Sequence, residues 1–115
     1  MSAAPARTPA TPDARCLEVA IVRPRAGVTR PQMERALGLS QAWLERQPGF
    51  LSRRVAHDAK EDTWVDTIEW RTAEDAHRAM AAYAEAPFAA ELNGAIDEAS
   101  FRCFHAAPVP VSAIR

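Results

Sequence analysis

The sequence predicts an α+β domain with the element order strand, helix, strand, strand, helix, strand, and three observations carry that reading. Four short stretches, 16–22, 51–57, 63–70 and 100–105, have the apolar or alternating patterns of strands. Two intervening segments open with capping signatures and continue with apolar side chains at intervals of three and four. Only the five-residue link Asp58 to Asp62, polar apart from Ala59, separates the second and third strands, which favours an antiparallel hairpin. This order is the split βαβ arrangement. With right-handed crossovers it gives a four-stranded antiparallel sheet with both helices on one face.

Size and charge narrow the options. A chain of 115 residues holds one domain. Fourteen Lys and Arg against fifteen Asp and Glu leave a formal charge of −1, so electrostatics favours neither a nucleic acid nor an anionic membrane as partner. No stretch approaches the roughly 20 apolar residues of a membrane-spanning helix. Residues 1–15 are rich in alanine and proline, lack the apolar run of a signal peptide, and read as a disordered tail. The expected compartment is the cytoplasm. The folded domain is assigned to 16–106 and an extended tail to 107–115.

The first strand, Cys16 to Val22, is apolar on both faces apart from Glu18, so it wants cover on both sides. Glu18 is expected to pair with Arg102 of the last strand or across a subunit interface. Thr29, Pro31 and Gln32 then open the first helix as N-cap, first-turn proline and capping-box partner, with Val28 and Met33 placed to staple it. Met33, Ala36, Leu37, Ser40, Trp43 and Leu44 form one buried stripe until Pro48-Gly49 stops the helix. Leu51 to His57 is a polar strand suited to a sheet edge. In the third strand, alternation puts Trp64, Asp66, Ile68 and Trp70 on one face, a wall of aromatic rings around one carboxylate. Thr72 with Asp75 caps the second helix, whose stripe is Ala76, Ala79, Met80 and Tyr83. Pro87 interrupts it, and Phe88, Leu92 and Ile96 mark a short continuation before the last strand. Cys16 and Cys103 lack CxxC spacing and are expected to be free, buried thiols. His57, His77 and His105 are scattered without ligand spacing, so no metal is expected.

With Pro48-Gly49-Phe50 before the second strand, Trp64-x-Asp66-x-x-x-Trp70 in the third, Glu74-Asp75-Ala76 at the helix opening and Ala86-Pro87-Phe88 near its end, the chain resembles the dimeric αβ-barrel superfamily over about residues 16 to 106. Within it, the resemblance is to the antibiotic-biosynthesis-monooxygenase-like proteins. It implies a ferredoxin-like βαββαβ domain, a homodimer whose two sheets meet face to face, and a small pocket in each subunit between sheet and helices. The group includes oxygenases that act on quinols or anthrones without metal or flavin, the substrate being oxidised as its anion, and others that degrade haem. The haem-degrading branch carries an Asn on the first strand and a Trp and a His along the second helix. Here Asn93 is the only asparagine and the second helix has no Trp, so haem degradation is not expected. The anthrone oxygenases surround their substrate with an Asn, a Trp, a Tyr and an Arg. Trp70 and Tyr83 match two of these, and no strand asparagine exists.

The resemblance therefore implies a cofactor-independent monooxygenase for a phenolic, quinol or polyketide-like ring. Trp64, Trp70, Tyr83 and Arg54 are the candidate substrate contacts, and Asp66 or His105 the proton acceptor. Arg53 and Arg54 point to opposite faces, so only one can serve a pocket. Two other functions stand beside this one: a non-catalytic dimeric ligand-binding or interaction module, and a cofactor-free isomerase or cyclase. The module predicts that Asp66 is tied to Arg53, Arg54 or an arginine across the interface.

Overall fold

A computed structural model describes residues 14–113. Residues 1–13 of the expected 1–15 tail and the last two residues of the chain lie outside them. Strands β1 (Cys16–Val22), β2 (Phe50–Asp58), β3 (Thr63–Trp70) and β4 (Arg102–Ala106) form one antiparallel sheet in the order β2-β3-β1-β4. The apolar strand β1 lies in the interior of the sheet and the polar strand β2 at an edge, as their patterns require. Helices α1 (Arg30–Leu39), α2 (Gln41–Glu45), α3 (Ala73–Tyr83) and α4 (Ala89–Ala95) cover one face.

Local chemistry sets the element ends. Thr29 Oγ1 accepts from Gln32 N, and the Gln32 side chain accepts from Thr29 N, closing the capping box of α1. Thr72 Oγ1 accepts from Asp75 N at the start of α3. In the β2–β3 turn, Asp58 Oδ1 accepts from Lys60 N and Glu61 N, so the side chain substitutes for a backbone acceptor. Gly49 has φ +85°, and a Cβ there would collide with the Asp75 side chain. The stop after α2 therefore requires glycine.

One expectation is corrected. The single first helix is divided at Ser40, which is buried and whose Oγ donates to Leu37 O at 2.7 Å. Arg15, assigned to the tail, pairs with Glu69 of β3 at 2.8 Å. At the other end, residues 107–110 are irregular, and Val111–Ala113 form a short 3₁₀ turn.

The register aligns four rows of side chains across the helix-covered face. Phe50, Trp70 and Cys16 form the first row, and Arg53, Ile68, Glu18 and His105 the second. Val55, Asp66, Ala20 and Cys103 form the third, and His57, Trp64 and Val22 the fourth. The apolar members sort into two clusters. One joins Cys16, Ile68 and Trp70 to Leu44, Ala76 and Ala79; the other joins Val22 and Trp64 to Met33 and Leu37. Beside these clusters, between sheet and helices, the layer is open.

Candidate functional site

The opening is a cavity of about 520 Å³, within the size range of small-molecule sites. Ala20, the smallest side chain of its row, leaves a low point in the sheet wall between Asp66 and Cys103. The remaining sheet wall is Glu18, Val22, Arg53, Ile68 and Trp70. Opposite lie Leu37, Trp43 and Leu44 from α1 and α2, and Met80, Tyr83 and Phe88 from α3 and the turn after it. Trp43, Phe88 and Tyr83 stand edge to face in sequence, with centroids 5.6 and 5.5 Å apart. Met80 and Phe101 line the cavity yet are each 46% exposed, so an apolar lip meets solvent.

The charged groups of this cavity lie mainly on the sheet. Arg53 Nε and Nη2 donate to Asp66 Oδ1 and Oδ2 at 2.9 and 2.8 Å, a bidentate pair whose side chains are 5% and 17% exposed. Arg53 Nη1 also donates to Leu37 O and Gln41 Oε1 at 3.1 and 3.2 Å, tying the sheet to the break between α1 and α2. Glu18 Oε1 accepts from Trp70 Nε1 at 2.9 Å and lies 3.5 Å from His105 Nε2. Cys103 is the neighbouring cavity thiol. Desolvation, then the negative charges of Glu18 and Asp66 and the nearby Cys16, push it up to about 11, so it is a neutral thiol at pH 7. Burial also raises Tyr83. Its hydroxyl donates to Asn93 Oδ1 at 3.0 Å on the helix side.

The expected residues are thus only partly brought together. Trp70, Asp66 and Tyr83 line the cavity. Trp64 shares their face but belongs to the packed cluster with Met33 and Leu37, its ring stacked on His57 at 4.3 Å. Arg54 is corrected: it pairs in register with Thr67 and points to the opposite face, while Arg53 reaches the cavity. The expected partner of Glu18, Arg102, is also corrected. Arg102 lies in register with Ile21 on the outer face, its guanidinium 5.3 Å from the Phe104 ring centroid, whereas Glu18 faces His105 across the ladder. His57 is half-buried and bonded to Asp62 at 2.9 Å. His77 is exposed, but its ring meets that of His105 at 5.0 Å. Glu18, Arg53 and Cys103 complete the polar wall, and the signal for Glu18 was visible: one charge in an otherwise apolar strand.

No protein-family model and no curated protein matches the chain. Solved structures do. The cofactor-independent oxygenase SnoaB from Streptomyces nogalater superposes with a TM-score of 0.72 at 17% identity, over 84% of this chain and 95% of that one. A proposed antibiotic biosynthesis monooxygenase from Bordetella bronchiseptica gives 0.69 at 14% identity, over 84% and 99%. Another, from Chloroflexus aurantiacus, gives 0.59 at 22% identity, over 84% and 94%. Likeness at these identities establishes the fold alone: a compact α+β fold with a four-stranded antiparallel sheet, shared with SnoaB and with the proposed antibiotic biosynthesis monooxygenases.

Proposed function

We propose that this chain, which carries the antibiotic-biosynthesis-monooxygenase-like fold, is a cofactor-independent oxygenase acting on a planar, largely apolar ring with an ionisable phenol or enol. The observation that carries the reading is the cavity itself. It is open, lined by aromatic and aliphatic side chains, and has its charged groups concentrated on the sheet wall. Such a site holds a flat molecule by apolar contact and presents one edge of it to the polar wall. The fold shared with SnoaB adds the reaction class.

Both oxygens of Asp66 already accept from Arg53, so we assign proton acceptance to Glu18 with His105 beside it. Trp70 N–H fixes the Glu18 carboxylate, and His105 can take on the proton as the ring is oriented by Trp70 and Tyr83. The ring anion then reacts directly with O₂. Oxidation of a ring CH₂ to C=O supplies four electrons; one oxygen atom enters the product and the other leaves as water, so the balance needs no external reductant.

The bidentate Arg53–Asp66 pair favours a second reading, a binding module without chemistry. Oxygen uptake with a panel of anthrones, hydroquinones and phenols separates the two. Protein-dependent uptake that persists in flavin-free, chelator-treated protein and falls in Glu18→Gln supports the oxygenase. Saturable quenching of tryptophan fluorescence without oxygen uptake leaves the binding module, or, where an oxygen-independent product forms, an isomerase or cyclase. No binding by any ring compound sinks the site. We further propose a homodimer through the uncovered sheet face, and a cytoplasmic location. Among the described residues no helix is long and apolar enough to cross a membrane.

A further inference from the structure

Glu18 and His105 sit opposite one another on β1 and β4, and Cys103 lies two residues before His105 on the same strand face. Each offers one ligand atom, and the three atoms lie within 4.8 Å of one another. The detail that matters is His105 Nε2. It is buried, it makes no hydrogen bond, and it stands 3.5 Å from Glu18 Oε1. That separation is long for an N–H···O hydrogen bond, which centres near about 2.9 Å. It suits two ligands of one tetrahedral ion instead, because bonds of roughly 2.0–2.1 Å from nitrogen and oxygen place neighbouring ligand atoms about 3.4 Å apart.

We propose that Glu18, Cys103 and His105 form a three-ligand site for a zinc-type divalent cation on the sheet wall of the cavity. The donor set is one carboxylate, one thiolate and one imidazole, which suits a borderline ion and is a poor match for magnesium or calcium. Binding releases the Cys103 proton as the sulfur–metal bond forms. Trp70 Nε1, donating to Glu18, is the contact that orients the carboxylate. Glu18 and Cys103 both line the cavity, so the fourth coordination position opens toward whatever occupies it, in the pattern of sites that keep one position for water or ligand. The site stands apart from the oxygenase reading and competes with it, because Glu18 and His105 cannot hold the ion and accept a substrate proton at the same time.

The test uses full-length, untagged, metal-free protein titrated with Co²⁺ as a spectroscopic stand-in for Zn²⁺, in the absence of any ring compound. The expected result is one Co²⁺ per chain, with tetrahedral d–d bands in the visible and a thiolate-to-cobalt band in the near ultraviolet. Added Zn²⁺ displaces both. Cys103→Ser removes the near-ultraviolet band, and His105→Gln and Glu18→Gln weaken binding by more than the roughly 10–100-fold seen when an outer-shell partner is lost. Circular dichroism of each variant confirms that it is folded. Absence of the visible bands at millimolar Co²⁺ overturns the site, as does a near-ultraviolet band that survives in Cys103→Ser. Metal binding without oxygen uptake, or the reverse, separates this proposal from the oxygenase.

Discussion

Arg53 is the residue on which both architecture and site depend. Its guanidinium answers both oxygens of Asp66 and two acceptors at the α1–α2 break, so removing it leaves a carboxylate in a half-buried wall without its partner. Arg53→Ala is expected to cost about 3–5 kcal/mol in urea unfolding, the range for breaking a buried pair from one side. Adding Asp66→Ala should recover a substantial part of that loss, because the stranded charge goes with it. Cys103 gives a pH signature. Its folded value of about 11 lies above the ordinary 9.0, so the neutral thiol is favoured in the native state. The stabilisation is present in full below pH 9 and is lost as pH rises toward 11, where the unfolded chain already ionises. Thermal unfolding of the wild type should therefore weaken through that window, and Cys103→Ala should flatten the decline.

At the level of elements, capping chemistry was legible because it is local. Thr29, Gln32 and Thr72 act on backbone groups within three residues, and their hydrogen bonds form as the spacing predicts. Thr72→Ala should cost about 1 kcal/mol in the same unfolding experiment, the usual loss for an N-cap hydroxyl. Division of the first helix at Ser40 was not legible. The stripe Met33, Leu37, Ser40, Leu44 runs on past Gly38 without a change of period, yet Leu37 O accepts from Ser40 N, Ser40 Oγ and Arg53 Nη1. Two of those donors are local. The third comes from β2, and no reading of the helix alone could supply it.

At the scale of the whole molecule, β1 asks for a partner. Its outward side chains Leu17, Val19 and Ile21 are half-buried by their neighbours, while Phe104, aligned with Val19, is 45% exposed. Among the described residues no helix covers this face, and its apolar side chains are the basis for proposing an association surface there. Sedimentation at micromolar concentration is expected to give twice the chain mass of 12.6 kDa, and Val19→Asp to give the monomer. A wild-type monomer would remove the argument for sheet-to-sheet pairing.

The element order, the polar edge strand, the interior place of β1 and the face shared by Trp64, Asp66 and Trp70 could all be read along the chain, because strand alternation and helix capping are properties of neighbouring residues. Which residues line the cavity follows from the packing of the folded chain. That packing turned Arg53 rather than Arg54 toward Asp66, buried Trp64 against Met33, and set His105 opposite Glu18. Each of those outcomes depends on register between strands far apart in sequence, and a shift of one residue would exchange the faces of every side chain involved.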